Sequence, residues 1–211
     1  MLKVYAIDTN ILKEDEIQRL SNLDKYNHIA NPIILRQQIA KDKLMQFVIE
    51  EEGINSLIEK DNKGKPYFVN SNIFFNVSHC DSKVIIAISD EIVGIDIQRI
   101  EEIEELKLDK LSRKIYNDND YNYYNINDSI TFLQIWTIKE AFLKCIGIGL
   151  VNNFHDIYID YVKNEIYYGK YSNYKYITFA YEDYLVSIVS NQITKSAYKN
   201  MKINFINYKN R

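Results

Sequence analysis

A strict alternation of apolar and polar residues at positions 93–98, VGIDIQ, constrains the fold more than any other feature of the sequence. In an extended chain the three branched apolar residues share one face, while Gly94, Asp96 and Gln98 share the other. This pattern predicts a strand that carries one carboxylate on its polar face. The run before it, KVIIAIS at 83–89, also predicts a strand, and only a short polar turn separates the two. The sequence therefore predicts that these two strands form a hairpin.

A second segment, residues 128–146, predicts a long helix. Trp136, Glu140 and Lys144 recur every four residues in WTIKEAFLK, so they share one face of that helix. Trp136 by itself would be an ordinary core aromatic. Gly147 predicts the end of the helix, because glycine favours the left-handed conformation that closes many helices. If the charged face of the helix meets the polar face of the strand, together they could bind a divalent cation and a phosphate.

The remaining segments predict an α+β protein with two lobes of similar make-up. Further helices are predicted at 13–24 and from Pro32 to about Glu52, and further strands at 2–7, 72–78, 155–162, 164–170, 174–181 and 184–190. The charged and tyrosine-rich stretch 101–125 predicts short helices and a loop, and the basic tail 195–211 predicts a peripheral segment. We expect the lobes to comprise residues 1–100 and 101–211, with a ligand in the cleft between them.

Composition and charge exclude several classes of protein. The 211 residues are 46% hydrophobic and 26% charged, which is typical of a globular domain, and a formal net charge of −3 argues against nucleic acid as a partner. No stretch approaches the roughly 20 apolar residues of a membrane span. The first residues predict a strand rather than a signal peptide, and two cysteines are too few for a disulfide framework. We therefore expect a cytoplasmic protein without a membrane partner.

The polar residues of these segments, taken one at a time, have ordinary structural explanations. An aspartate such as Asp96 on a strand face is usually solvated. Glu140 with Lys144 would be a common ion pair along a helix, worth about 0.3–0.5 kcal/mol. His79, in FNVSHC at 75–80, stands beside a hydroxyl at a strand end, but a lone histidine there is more often structural than catalytic. A functional prediction therefore depends on the combination of these residues.

Four short motifs follow one another along the chain: GKP at 64–66, FNVSHC at 75–80, VGIDIQ at 93–98 and WTIKEAFLK at 136–144. In this order and at these separations they resemble the 4′-phosphopantetheinyl transferases, specifically the Sfp-type (surfactin-type) enzymes with two lobes in one chain. The resemblance runs from about residue 20 to residue 150. It is carried by the combination of motifs, since GIDI alone would be a weak signal.

The resemblance implies a fold and a reaction. The fold is a pair of α+β lobes related by a pseudo-twofold axis, each a small, mainly antiparallel sheet packed on a long helix, with coenzyme A in the cleft. A serine hydroxyl of an acyl or peptidyl carrier protein attacks the pyrophosphate of coenzyme A with Mg²⁺ as metal cofactor. The 4′-phosphopantetheine arm moves to the serine, and adenosine 3′,5′-bisphosphate leaves. We expect a monomer, with polyketide or nonribosomal peptide synthesis as its setting.

The resemblance also assigns roles to residues of the chemical step. Asp96 and Glu140 match the metal ligands of the family, and Lys144 matches its pyrophosphate-binding lysine. Asp120 lies where the family often has a glutamate that is proposed to help deprotonate the serine. We expect the carrier protein to dock on the stretch 101–125, because the carrier must reach the metal from outside.

A second set of residues matches positions that bind the nucleotide end of coenzyme A. Lys65, Ser78 and His79 match positions that hold this end, including its 3′-phosphate. Lys25 and Arg36 fall where the family places basic residues near that phosphate. The resemblance thus predicts an anion site in the N-terminal lobe beside the metal ligands.

The chain departs from the family pattern at two positions. Cys80 replaces a commoner serine after His79, which is a small change. Gln98 stands where the family usually has a glutamate, a third candidate metal ligand, and glutamine brings no charge. This departure keeps open a second hypothesis, a non-catalytic homologue that binds coenzyme A or a carrier protein. A third hypothesis, an unrelated α+β protein with chance motifs, predicts no cleft that brings Asp96 near Glu140.

Overall fold

The computed structural model describes residues 1–123, 128–149, 153–191, 193 and 203–205. Its helices are α1 (Glu14–Ser21), α2 (Pro32–Glu51), α3 (Glu105–Ile115), α4 (Asp118–Tyr123) and α5 (Ser129–Ile146). Its strands are β1 (Leu2–Asp8), β2 (Ile58–Lys60), β3 (Pro66–Phe68), β4 (Phe74–Cys80), β5 (Lys83–Ser89), β6 (Val93–Arg99), β7 (Tyr158–Asp160), β8 (Glu165–Tyr168), β9 (Tyr171–Tyr181), β10 (Tyr184–Ser190) and β11 (Ile203–Phe205). Short 3₁₀ turns occur at Thr9–Ile11 and Phe154–Asp156.

The strands form two main sheets, and each sheet packs on one long helix. The N-terminal sheet has the order β11-β1-β5-β4 and packs on α2, and the C-terminal sheet has the order β6-β10-β9-β8-β7 and packs on α5. Among the described strands, the pairing is antiparallel except between β1 and β11. The α+β class with two lobes of similar make-up is therefore confirmed, whereas the pseudo-twofold relation stays a prediction.

The two sheets also pack face to face, so the lobes share one apolar interface. Its buried residues come from the two sheets together and include Val4, Ala6, Ile85, Ala87, Val93, Ile95, Ile97, Val186 and Ile188. The layers of the molecule are therefore α2, the N-terminal sheet, the C-terminal sheet and α5. Because the branched apolar residues of VGIDIQ enter this interface, the polar face of the same strand turns toward α5.

The predicted hairpin of residues 83–89 and 92–98 is wrong. β5 pairs with β1 and β4 in the N-terminal sheet, and β6 pairs with β10 in the C-terminal sheet. All seven residues of β5 are buried, which fits a central strand with a neighbour on each edge and cover on both faces. The polar turn between the strands is therefore a crossing from one sheet to the other. The chain passes from one sheet to the other at residues 90–92, and the division of the lobes at residue 100 stays a prediction.

The tail that was predicted to be peripheral contributes to the N-terminal sheet. Its residues 203–205 form β11, which pairs in parallel with residues 4–6 of β1. The rest of the stretch 195–211, apart from these three residues, lies outside the described residues, as do positions 124 and 125 of the predicted loop. The N-terminal sheet thus holds strands from both ends of the chain.

The two long helices begin and end close to the positions that their sequence signals predicted. Pro32 opens α2, and Asn31 and Asp128 cap α2 and α5 with side-chain oxygens that accept from first-turn backbone N–H groups. Gly147 ends α5 with a φ of 67°, the left-handed conformation that glycine adopts without strain. Neither these nor the other described helices are both long and apolar enough to cross a membrane.

Gly94 allows α5 to lie directly on β6. A Cβ at this position would be 2.0 Å from the carbonyl oxygen of Ala141 and 2.5 Å from the backbone nitrogen of Cys145. Only glycine leaves room for so close an approach of helix to strand. Because these two helical residues directly follow Glu140 and Lys144, the contact holds both charged side chains beside the polar face of β6.

Candidate active site

Asp96 is the residue around which the two lobes meet. The residue is only 2% exposed, and both of its carboxylate oxygens accept hydrogen bonds. Oδ1 accepts from Ser78 Oγ at 2.9 Å and from Lys144 Nζ at 2.5 Å, and Oδ2 accepts from Gln98 Nε2 at 3.2 Å. Strands β4 and β6 and helix α5 therefore supply one connected set of polar groups. The expectation of a solvated aspartate is wrong, because neighbours from both lobes cover it.

A side chain of β4 joins the edges of the two sheets at this point. Asn76 Oδ1 accepts a hydrogen bond of 2.9 Å from the backbone N–H of Ile95. Asn76 and Ser78 lie two residues apart, so both point from β4 toward β6. The role of Asn76 was missed in the sequence, although the alternation of polar residues in FNVSHC was a usable signal. The bond fixes the distance between Ser78 and Asp96.

Glu140 lies next to this network with part of its hydrogen-bonding capacity unused. The residue is 9% exposed, and its Oε1 atom is buried without a hydrogen-bond partner among the described residues. Burial first, and then the charge of Asp96, raise the pKa of Glu140 to about 7, while Lys144 opposes the shift. A buried carboxylate oxygen without a partner is costly, so this position favours a cation. The hypothesis of an unrelated protein with chance motifs predicted that Asp96 and Glu140 would lie apart. That hypothesis is wrong, because the two carboxyl groups are close enough to interact.

The oxygen atoms at this point fit a magnesium ion. Asp96 and Glu140 contribute carboxylates, and Gln98 adds an amide group beside Asp96. Nowhere in the described parts of the chain do three or more His, Cys, Asp or Glu side chains come together as a metal site. Two protein carboxylates suffice for Mg²⁺, which prefers oxygen ligands and keeps several waters or substrate phosphates. The unpaired oxygen of Glu140 is the feature that such an ion would satisfy.

A second group of cations lies beside His79 on the other face of β4. Part of the His79 side chain is exposed to solvent, and the burial of the rest, together with the charges of Lys144 and Lys41, lowers its pKa. Burial also lowers the pKa of Lys41, with Lys60 and Lys25 contributing and Asp42 opposing. Cationic groups that lie close enough to lower the pKa of His79 and Lys41 form a favourable site for an anion. Lys41 was missed because no motif marks it, and only its place on α2 brings it over β4.

The two basic residues that the resemblance predicted on the N-terminal lobe have different surroundings. Lys25 belongs to the cation group, with its Nζ 3.4 Å from Asp42 and 4.5 Å from the ring centre of Tyr26. Arg36 is paired with Glu14, on the side of α2 that faces α1. The predicted position of Arg36 beside the phosphate stays a prediction, because this exposed ion pair does not exclude a phosphate contact.

Lys65 is in contact with the C-terminal lobe. Its Nζ donates a hydrogen bond of 2.7 Å to the carbonyl oxygen of Cys145 in the last turn of α5. Burial lowers the pKa of Lys65. A cavity of about 520 Å³ lies beside it and is lined by residues of β3, β4 and the loop between them: Lys65, Pro66, Tyr67, Phe68, Asn70, Ser71, Asn72, Ile73, Phe74 and Phe75. Its walls are mainly aromatic and amide groups.

Asp120 does not face the cleft. It is fully buried in the C-terminal core, where its Oδ2 accepts from Lys139 Nζ at 2.6 Å and from the backbone N–H of Asn117 at 3.0 Å. Its other oxygen accepts from the hydroxyl of Tyr161. A carrier serine has no access to this carboxylate, so the predicted role of Asp120 in deprotonation is wrong. The charged surroundings of Asp120 in the sequence concealed a buried partner nineteen residues away.

Trp136 confirms its ordinary interpretation as a core aromatic. Its ring stacks between Phe132 and Phe154, with centroid distances of 6.3 and 5.4 Å. Cys80 and Cys145 are both free thiols, as the low cysteine count predicted.

Comparison with known proteins gives this arrangement a family context. Residues 92–189 match the 4′-phosphopantetheinyl transferase superfamily. The chain is 31% identical over 161 residues to 4′-phosphopantetheinyl transferase gsp of Aneurinibacillus migulanus, across 73% of this chain and 63% of that protein. It is 30% identical over 177 residues to L-aminoadipate-semialdehyde dehydrogenase-phosphopantetheinyl transferase of Xenopus laevis, across 72% and 55%. For 4′-phosphopantetheinyl transferase ffp of Bacillus subtilis, the identity is 24% over 165 residues, across 71% and 72%.

These matches confirm the family that the four motifs predicted. The matched range contains the metal-ligand candidates and Lys144, whereas the motifs GKP and FNVSHC precede it. The chain spans less than two thirds of the length of the first two relatives. Nothing in these matches favours the non-catalytic alternative.

Proposed function

We propose that this chain, whose residues 92–189 belong to the 4′-phosphopantetheinyl transferase superfamily, transfers the 4′-phosphopantetheine arm of coenzyme A to a serine of an acyl or peptidyl carrier protein. One observation carries the proposal. Asp96, Glu140 and Lys144, which are distant in sequence, meet where β6 and α5 adjoin β4, and one oxygen of Glu140 has no hydrogen-bond partner among the described residues. Such an arrangement is suited to a cation and a pyrophosphate.

The proposed reaction forms one phosphorus–oxygen bond and breaks another. The serine oxygen bonds to the phosphorus atom that carries the pantetheine arm, and the proton of the serine hydroxyl is released to water. The pyrophosphate bond breaks, and its electrons leave on adenosine 3′,5′-bisphosphate. Bound Mg²⁺, held by Asp96 and Glu140 with Gln98 beside them, would neutralise the charge of the phosphate oxygens.

Lys144 is the residue that we assign to the pyrophosphate. Its side chain is 29% exposed, and its ammonium group bonds to both Asp96 and Ser78. The contact with Asp96 holds the lysine in place before the substrate arrives, and its remaining N–H donor is available to a phosphate oxygen. A preorganised cation of this kind stabilises charge that shifts toward the leaving oxygen in the transition state.

We assign the nucleotide end of coenzyme A to the cation group beside that position. His79, Lys41 and Lys25 together present an anion site on the N-terminal lobe, which suits the 3′-phosphate. The aromatic and amide-lined cavity beside Lys65 suits a planar base. Lys65 bonds to the carbonyl oxygen of Cys145, which is the residue after Lys144. The cavity beside Lys65 therefore adjoins the pyrophosphate position.

We propose that the carrier protein docks on the side of α3 and α4. This segment, residues 105–123, follows β6 after the short stretch 100–104 and carries the apolar side chain of Leu106, which is 70% exposed. An exposed leucine among charged residues suits an amphipathic partner helix. We therefore retain the predicted docking region and place its centre on the first turn of α3.

A mass assay tests the proposed function. The chain is incubated with coenzyme A, Mg²⁺ and a panel of apo carrier proteins from fatty acid, polyketide and nonribosomal peptide systems. The expected result is the mass increase of one phosphopantetheine group on a carrier serine, lost on addition of EDTA and lost in Glu140→Gln. Absence of the mass increase on every carrier, with coenzyme A binding intact by calorimetry, would overturn the proposal.

A further inference from the structure

We infer that Lys65 is a positioning residue that latches the β2–β3 hairpin of the N-terminal lobe onto the last turn of α5. The resemblance predicted that this lysine binds the nucleotide, and the structure gives its ammonium group a different partner. For its effect on catalysis, the inference rests on the proposed function. The contact itself can be measured without any substrate.

The first observation is the bond across the lobes. Lys65 Nζ donates to the carbonyl oxygen of Cys145 at 2.7 Å, between residues 80 positions apart in sequence. The last four carbonyl groups of a helix lack partners within the helix, and they form the negative end of the helix dipole. The N–H of Gly147 satisfies Leu143, whereas the carbonyl of Cys145 is satisfied by Lys65. A cation at this end of α5 is therefore favourable for two reasons. It donates a hydrogen bond to an otherwise unpaired carbonyl, and its positive charge interacts favourably with the negative end of the helix dipole.

The second observation is the construction of the turn that presents Lys65. Asp61 Oδ1 accepts from the backbone N–H groups of Lys63 and Lys65, both at 2.9 Å. The backbone N–H of Asp61 bonds in return to the carbonyl of Lys65 at 2.9 Å, and Gly64 takes a φ of 83° between them. These bonds fix the direction in which the side chain of Lys65 leaves the hairpin.

The third observation is that the stem of Lys65 packs on the helix end. A Cβ added at Gly147 would lie 3.2 Å from Cδ of Lys65, so the lysine runs closely over the glycine that ends α5. Glycine at this position thus serves two purposes, the left-handed backbone and the room for the lysine stem. The contact covers apolar carbon as well as the charged group.

The contact between Lys65 and Cys145 also affects the active site, because Cys145 is adjacent to Lys144 in the chain. Cys145 directly follows Lys144, whose Nζ holds Asp96 and Ser78. By fixing the carbonyl of Cys145, Lys65 keeps the last turn of α5 wound and Lys144 directed at the cleft. Loss of the latch would loosen that turn without removing any group that touches the reacting atoms.

Hydrogen exchange of the free protein provides the direct test. In Lys65→Met the backbone amides of residues 145–147 should exchange roughly tenfold faster or more, since a charged hydrogen bond is lost. The matched control is Lys63→Met, which removes an exposed lysine of the same turn and should leave these amides unchanged. Lys65→Arg should restore most of the protection. Equal exchange in Lys65→Met and the unchanged protein would overturn the latch.

Kinetics distinguish a positioning role from a nucleotide contact. In Lys65→Met we expect kcat to fall with little change in KM for coenzyme A, because the orientation of Lys144 is affected. A rise in KM alone, with unchanged exchange of the helix end, would instead assign Lys65 to the nucleotide. If the unchanged protein transfers no phosphopantetheine, the exchange result still decides the latch, so the two proposals fail separately. Lys65→Gln, too short to reach Cys145, replaces Lys65→Met if that variant does not fold.

Discussion

Helix α5 carries two lysines that each pair with an aspartate, and the two pairs differ in what surrounds them. Lys139 and Asp120 lie 2.6 Å apart in the C-terminal core, and neither side chain is exposed. Lys144 and Asp96 lie 2.5 Å apart at the cleft, where the lysine side chain is 29% exposed. Residue types and distances are nearly the same, so charge and proximity alone do not separate a structural pair from a functional one.

The difference lies in how completely the neighbours satisfy each pair. Lys139 also donates to the backbone carbonyls of Ile115 and Phe154, and Asp120 also accepts from Tyr161. The charged groups of that network are therefore hydrogen-bonded to one another and to the surrounding backbone. At the cleft, Glu140 adds a buried carboxylate oxygen without a partner among the described residues. A saturated buried network contributes to the structure, whereas an unsatisfied one is suited to a ligand.

The largest effect is expected at the unsatisfied carboxylate. Glu140→Gln should lower transfer by at least about 100- to 1,000-fold, because a charged group at the pyrophosphate is lost while the shape is kept. In EDTA the same variant should melt at an equal or higher temperature, since a buried charge without a partner has been removed. Intact mass of the carrier and thermal denaturation measure the two quantities.

Asp96→Asn sharpens the same point with a different stability result. It should also abolish transfer, but it should lower the melting temperature, because Asp96 accepts three hydrogen bonds and pairs with Lys144. Near-normal turnover of either variant at saturating Mg²⁺ would show that these carboxylates do not hold the metal.

The saturated pair should respond in stability rather than in chemistry. Asp120→Ala leaves Lys139 as a buried, unpaired cation, which should lower the free energy of unfolding by about 3–5 kcal/mol. Below its melting range, the folded fraction should retain kcat for transfer within a few-fold. Chemical denaturation measures the first quantity and initial rates measure the second. A loss of kcat as large as that of Glu140→Gln, in protein that is still folded, would return Asp120 to the catalytic residues.

A smaller effect is expected at the cation group of the N-terminal lobe. His79→Ala and Lys41→Met should each raise KM for coenzyme A by roughly tenfold, since each removes one charge-assisted contact to the 3′-phosphate. KM for dephospho-coenzyme A should not change. Lys43→Met is the matched control, because Lys43 lies on the same helix as Lys41 but pairs with Glu16. Equal effects on both substrates would contradict a 3′-phosphate contact.

The smallest effect is expected at Gln98, the neutral member of the cleft network. Gln98→Glu replaces a donor to Asp96 by a third carboxylate, which should lower the Mg²⁺ concentration for half-maximal rate by a few-fold. Without metal, the like charges should lower the melting temperature, and Mg²⁺ should restore it. If the substitution instead created activity in a wholly inactive protein, the chain would be a binding homologue and the proposed function would fail.

The sequence by itself determined the local structure and the family. Alternation identified β6 as a strand, strand-like runs identified β5 and β10, and Pro32 and Gly147 marked the start of α2 and the end of α5. These signals act within a few residues, so the sequence carries them completely. The four ordered motifs likewise identified Asp96, Glu140 and Lys144 as members of one site before any distance between them was known.

Only the tertiary structure decided which groups meet and which are satisfied. The sequence could not show that β6 joins β10, that Asp120 is buried against Lys139, or that Lys65 ends on the carbonyl of Cys145. Strand partners depend on which edges face each other after the sheets form. The burial of a charge depends on partners far away in the chain, since a buried charge is stable only where such partners are provided. For that reason the motifs of the chain predict its chemistry. The packing of α5 decides that Lys139 is buried with Asp120 in the core, whereas Lys144 lies with Asp96 at the cleft, where that chemistry can occur.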